Sequence, residues 1–140
     1  MVHPDVTDLA WAAGILDGEG CICITFRKKP GVHQLFIRVA TKDSDISPAM
    51  HNIFGGSLWT DGKGHGTIWQ VSGAKAAQVA AMVYPYLKHK QPQAQIAIEY
   101  GPTVQLPGQR KSGILEKRWK LYHRLRELHT YSIGDSCGTD

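Results

Sequence analysis

The chain has 140 residues, 42% hydrophobic and 20% charged. That is enough for one domain with a real core and too short for two, and it excludes an intrinsically disordered chain. No apolar run is long enough to span a bilayer, and Met1-Val2-His3-Pro4-Asp5 lacks the regions of a secretory leader, so an intracellular location without a membrane partner is expected. There are three cysteines and no C-x-x-C pair, which speaks against a zinc site. Cys21 and Cys23 fall on a predicted strand and are expected on opposite faces, disfavouring a local disulfide. The net charge of +4 is modest, but its distribution is informative. Basic residues gather at Arg27-Lys28-Lys29, at Lys88 and Lys90, at Arg110-Lys111 and along 117–126, a pattern suited to a phosphate backbone.

The first predicted helix covers 8–18, with Thr7 or Asp8 available as its N-cap. Ala10, Ala13, Gly14 and Asp17 fall on one narrow face, and Leu9, Ala12 and Leu16 on an apolar one. Gly18-Glu19-Gly20 ends this helix and leaves two acids, Asp17 and Glu19, at its C-terminal end. Carboxylates there oppose the helix dipole, so a cation is expected beside them. A plain amphipathic helix with a solvated acidic turn explains those four residues equally well when they are taken alone.

A strand over 21–29 follows. Ile22, Ile24 and Phe26 point one way, and Cys23, Thr25 and Arg27 the other. After the Pro30-Gly31 turn, 35–41 forms a second strand. Leu35, Ile37 and Val39 line its apolar face, while Gln34, Phe36, Arg38 and Ala40 lie opposite. A short helix over 45–54 stops at Gly55-Gly56. Residues 57–61 and 67–71 then make a second hairpin, across which Trp59 and Trp69 could pair. A helix over 74–88 breaks near Tyr84 because of Pro85, and another runs over 91–100. Residues 101–113 read as a linker and 114–131 as a basic amphipathic helix with Leu115, Trp119, Tyr122, Leu125 and Leu128 as its stripe. The expected fold is α+β. An α-β-β-α-β-β-α core carries a four-stranded antiparallel saddle sheet with helices on one face, and a basic C-terminal helix is added. All of it forms a single domain over 1–140, with its core at about 8–100.

Ala12-Ala13-Gly14-Ile15-Leu16-Asp17-Gly18-Glu19-Gly20 resembles the signature of the LAGLIDADG homing endonucleases position by position. Ala12 replaces the usual leucine, and Glu19 stands for the second Asp. Pro85-Tyr86-Leu87-Lys88-His89-Lys90-Gln91 resembles the family's lysine run, Y-L-K-x-K-Q. The resemblance implies a site-specific double-strand DNA endonuclease from an intron or similar mobile element. Such an enzyme cleaves a long, near-palindromic site by metal-assisted hydrolysis. It further implies that Glu19, with the main-chain carbonyl of Gly18, holds Mg2+ (or Mn2+, or a non-catalytic Ca2+), that Lys90 is catalytic, and that Asp17 accepts hydrogen bonds from a partner's helix. Many relatives carry a water-positioning glutamine where this chain has Thr41, a catalytic candidate whose hydroxyl can hold water over a shorter reach. One motif per chain implies a C2 homodimer packed through Ala10, Ala13, Gly14 and Asp17. The wet sheet face is expected to read the major groove through Cys23, Thr25, Arg27, Lys29, Gln34 and Arg38, with Lys42, Lys63 and Thr67 beside them. Lys117 and Arg124 are expected on phosphates. The alternative is a non-cleaving nucleic-acid binder on the same fold, either an intron RNA maturase or a DNA-binding regulator. His33 and His65, in the two hairpins, are the histidines of most interest.

Overall fold

A computed structural model describes residues 4–28, 31–42, 45–62, 66–104 and 113–131. Its order is α1 Val6–Glu19, β1 Gly20–Arg27, β2 Val32–Thr41, α2 Ile46–Phe54, β3 Ser57–Asp61, β4 Gly66–Ser72, α3 Gly73–Val83, α4 Gln91–Tyr100 and α5 Ile114–Tyr131. The expected element order holds, with shifted ends. α1 starts two residues earlier than the periodicity indicated, because Asp5 rather than Thr7 or Asp8 is the cap: its Oδ1 accepts from Asp8 N at 2.8 Å. α3 stops before Pro85, and Tyr84–Tyr86 continue as one 3-10 turn. The start of the expected linker, Gly101–Thr103, is also a 3-10 turn, with Thr103 buried. Residues 105–112 of that linker and the tail after Tyr131 lie outside the described residues.

The four strands form one antiparallel sheet in the order β1-β2-β4-β3. Strand alternation then sorts the side chains by face. Ile22, Ile24, Leu35, Ile37, Val39, Trp69 and Val71 lie on one face and join Leu16, Met50, Phe54, Val79, Val83, Ile96, Tyr100, Leu121 and Leu125 in a single core. All five helices contribute to that core, so every helix packs on the same side and the other sheet face is left uncovered by helices. Burying a side chain such as Leu16 or Ile37 contributes about 1.5–3 kcal/mol. Gly20 permits the close turn from α1 into β1, since a Cβ there would lie 2.7 Å from Leu16 Cα.

Two face assignments change. Cys21 and Cys23 are two residues apart on β1 and therefore share a face, with their sulfurs 3.3 Å apart. Trp69 sits opposite Leu58, and Trp59 opposite Ile68, so the tryptophans point to opposite faces and do not pair. Trp69 is buried in the core, where its indole N–H donates to the Gly55 carbonyl at 2.7 Å.

The stripe of α5 docks beside the β1–β2 hairpin. Trp119 lies 4.5 Å from the ring of Phe26 and 4.5 Å from that of His33, and Tyr122 packs against both Trp119 and His33. His33 is buried there with neither ring nitrogen hydrogen-bonded. Burial first, then the positive charges of Arg118 and His123, lower its pKa below the usual histidine value. The folded state therefore resists protonating His33, whereas the unfolded chain takes up that proton near pH 6.5. Stability is fully present above about pH 6.5 and falls as the pH drops below it toward the folded pKa. Thermal unfolding followed from about pH 7.5 to about pH 5.5 should show Tm falling, and His33→Leu should flatten that fall. An equally steep fall in His33→Leu would assign the pH dependence to other groups.

Candidate active site and nucleic-acid interface

α1 delivers its acids to the edge of the core. Glu19 and Gly18 are exposed at the helix end, which has no basic residue in its last turn. Asp17 is engaged within its own chain. Its Oδ2 accepts from Lys88 N at 2.7 Å, and its Oδ1 accepts from His89 N at 3.1 Å and Lys90 N at 2.8 Å. Lys90 is 4% exposed, and its Nζ donates to the main-chain oxygen of Asp17 at 2.9 Å. The lysine run, some seventy residues downstream, is thus brought onto the helix end that carries Glu19.

The exposed face of α1 differs from the expected one. Ala13 is 0% exposed and belongs to this chain's own core, so it cannot meet a partner. With Asp17 taken by the Lys88–Lys90 segment, the outward stripe is Val6, Ala10, Trp11, Gly14 and Gly18. Neither glycine is needed by the chain itself, since a Cβ at Gly14 or Gly18 would meet nothing within 4 Å.

Thr41 departs from the water-positioning expectation. It sits on the core-side register of β2, is 7% exposed, and its hydroxyl lies 3.2 Å from Ser47 Oγ. Ser47 Oγ in turn shares its one hydrogen between the carbonyls of Val39 at 3.1 Å and Thr67 at 2.9 Å, pinning α2 beneath the sheet. Thr67 pairs with Thr41 and shares its side of the sheet, so its side chain is not on the open face.

The open face carries Cys21, Cys23, Thr25, Arg27, Val32, Gln34, Phe36, Arg38 and Ala40 on the first hairpin, with Ile68, Gln70, Ser72, Ser57 and Trp59 on the second. Arg27 and Gln34 are exposed, as is Lys42 just beyond β2. Cys23 is buried, packed with Cys21 and Phe36 in a small apolar cluster, so it is a support rather than a contact. Arg38 spans the middle. Its guanidinium lies 4.9 Å from the Phe36 ring centroid, and its Nε donates to Gln70 Oε1 at 2.8 Å. Gln70 Nε2 also donates to Ser72 Oγ. Sequence reading missed Gln70, because its pairing with Arg38 depends on the β2–β4 neighbourhood, which hairpin signals do not reveal.

α5 lies on the helical side of the sheet, because its stripe docks into the core. Arg124 holds Glu99 of α4 through two hydrogen bonds of 3.1 and 3.2 Å. That pair, with Lys117 nearby, lowers the Glu99 pKa. Arg124 is therefore directed toward α4 rather than to the open face, and Lys117 is exposed on the same helix. Lys29 and Lys63 lie outside the described residues.

An α+β saddle with all helices on one face, and an acid-bearing helix end beside a buried lysine, defines a fold with solved examples. It is the LAGLIDADG homing-endonuclease fold. The homing endonuclease I-CvuI, solved with the I-CreI target in the presence of Mg, superposes with a TM-score of 0.75 at 23% identity, covering 94% of this chain and 89% of that one. The archaeal intron-encoded homing endonuclease I-Vdi141I, complexed with DNA, gives a TM-score of 0.70 at 15% identity, covering 96% and 89%. The LAGLIDADG homing endonuclease I-GzeII, in complex with its DNA target, gives 0.67 at 16% identity, covering 87% of this chain and 45% of that one. By sequence, no family model and no curated protein matches the chain. Among the described residues no helix is long and apolar enough to cross a membrane.

Proposed function

We propose that the chain is a homodimeric, divalent-metal-dependent, site-specific double-strand DNA endonuclease. The observation that carries this reading is that the Lys88–Lys90 segment is bonded to Asp17, two residues before the exposed Glu19, on a helix whose outward face carries Ala10, Gly14 and Gly18 beside Val6 and Trp11. A glycine inside a helix costs about 1 kcal/mol relative to alanine. Gly14 has no neighbour within its own chain that requires it. Close packing against the α1 of a second copy supplies the reason. The I-GzeII comparison agrees, because this chain accounts for a little under half of that longer one.

The donors at the α1 end are an exposed carboxylate and a main-chain carbonyl, which suit a hard cation such as Mg2+, Mn2+ or Ca2+. Among the described residues no three Asp, Glu, His or Cys side chains of one chain come together, so a cation there needs the second copy's Glu19 or phosphate oxygens. Glu19 and the Gly18 carbonyl would hold the ion, which when bound polarises the scissile phosphate and acidifies water. Lys90, fixed against the Asp17 carbonyl, stabilises negative charge developing on the phosphate. The open sheet face enters the major groove, whose width admits a two-stranded ribbon. Mg2+-dependent conversion of a supercoiled plasmid library to linear molecules tests this reading; a library left intact at every protein concentration opposes it.

One observation favours the alternative, a non-cleaving DNA or RNA binder such as a maturase. Thr41 is buried and tied to Ser47, which removes an exposed polar group from the position where relatives hold water. For this reason Thr41 has no role in the proposed mechanism. Tight binding of duplex DNA or intron RNA without any Mg2+-dependent break would select that alternative.

Arg38 is the residue best prepared to read a base. Gln70 occupies its Nε, so the two terminal nitrogens are left to face guanine O6 and N7. Arg38→Ala should cost about 1–3 kcal/mol on the true site and relax preference at one position per half-site. Gln70→Leu should relax the same position less strongly, because it loosens the fork without removing it. Selection from randomised duplexes checks both; relaxation at two different positions would separate Gln70 from Arg38.

A further inference from the structure

The first acid of the motif does not spend its carboxylate on the outward face of α1. Three successive backbone N–H groups, from Lys88, His89 and Lys90, converge on the two carboxylate oxygens of Asp17. Such a concavity of main-chain donors is an anion nest, here filled by a side chain of the same protein. The main-chain oxygen of Asp17 meanwhile accepts from Lys90 Nζ. Asp17 therefore grips Lys90 at both ends, by its backbone N–H and by its ammonium. The position needs such a grip. Lys90 is the N-cap residue of α4 and makes no side-chain cap bond, so the start of α4 draws its negative partner from α1 instead. A lysine side chain also loses rotamer freedom when it is fixed.

We propose that Asp17 is the positioning residue for Lys90: it sets the place of the ammonium relative to Glu19, two residues along the same helix. The inference rests on the reading that Lys90 serves phosphodiester cleavage. It follows that the spacing of the two motif acids has a geometric purpose. One acid holds the lysine segment and the other is left for the cation, so the cationic and anionic halves of the site are fixed to a single helix end.

Two measurements on the full-length chain test this. The first needs no DNA. Acetic anhydride labelling, mapped by mass spectrometry, should leave Lys90 protected in the wild type and label it about tenfold faster in Asp17→Ala, since the Lys88–Lys90 segment loses its three N–H anchors and can lift the ammonium from the main-chain oxygen that any residue at 17 supplies. The second uses a duplex recovered from the plasmid library and saturating protein. Asp17→Ala should lower the single-turnover cleavage rate by about 10²-fold, the effect of misplacing a reacting group by about 1 Å. DNA affinity should stay within about threefold, because the sheet face is untouched. In a Lys90→Met background the same substitution should add nothing, since both act through one group. Asp17→Asn carries the same expectations in weaker form, because it keeps Oδ1 but turns an N–H2 donor toward Lys88 N, and it decides the matter should the alanine variant not fold. A folded Asp17 variant with Lys90 still protected, or with the wild-type rate, would overturn the proposal. So would a further loss in the Lys90→Met background. Lys90→Met cutting at the wild-type rate would instead overturn the reading of Lys90 on which the proposal rests.

Discussion

Glu19→Gln is expected to abolish cleavage while leaving DNA binding near normal. The amide keeps the shape of the carboxylate and loses the charge, and a neutral oxygen is a poor ligand for a hard dication. Asp17 cannot substitute, because both of its oxygens accept backbone N–H groups from Lys88–Lys90. The expected loss is about 10³-fold or more in single-turnover rate, which corresponds to roughly 4 kcal/mol of transition-state stabilisation. Affinity for the target should stay within a few-fold, since Glu19 lies at the end of α1 and outside the sheet face. Single-turnover kinetics alongside a binding titration in Ca2+ would check both halves. Cleavage at the wild-type rate would remove Glu19 from the mechanism.

Gly14→Leu is expected to convert the proposed dimer into folded monomer and to eliminate the proposed double-strand breaks with it. Folding and assembly separate at this position, because a Cβ at Gly14 would meet no neighbouring segment of its own chain within 4 Å. Helix propensity alone would stabilise the isolated fold by up to about 1 kcal/mol. Across a twofold axis the same leucine appears twice between the helices. Overpacking costs about 1–3 kcal/mol per site, so the pair raises the dissociation constant by roughly 30-fold to a few times 10⁴-fold. Sedimentation should show a monomer at concentrations where the wild type is dimeric, with Tm essentially retained. A native dimer formed by Gly14→Leu would place the interface elsewhere.

Much of the fold was legible because its signals are local. The alternation in 21–27 and 35–41 separates core from open face, Pro85 ends α3, and Gly18-Glu19-Gly20 ends α1. What the sequence did not disclose depends on contacts between distant segments. Helical periodicity groups Ala13 with Ala10 and Gly14, yet only the packed core shows that Ala13 points inward. The carboxylate of Asp17 looked available to a partner, because nothing in the motif signals the backbone N–H groups of Lys88–Lys90. The expectation of a water held at Thr41 and of a DNA contact at Thr67 fails because the β2–β4 register puts both on the helical side. Arg124 read as a phosphate contact, but Glu99 of α4 holds it. Charge along a helix shows that a face is solvated; it does not show which direction that face takes once the apolar stripe has docked.

Sequencing the ends produced from a randomised duplex library with Mg2+ tests the central claim most directly. A symmetric dimer with one Glu19 per chain should cut both strands at positions related by a twofold axis, with one fixed stagger. The recovered half-sites should be near-inverted repeats, and the breaks should vanish with chelator and with Glu19→Gln. Breaks that persist in Glu19→Gln, or ends with no twofold relation between the strands, would contradict the assignment of a metal-dependent, dimeric DNA endonuclease.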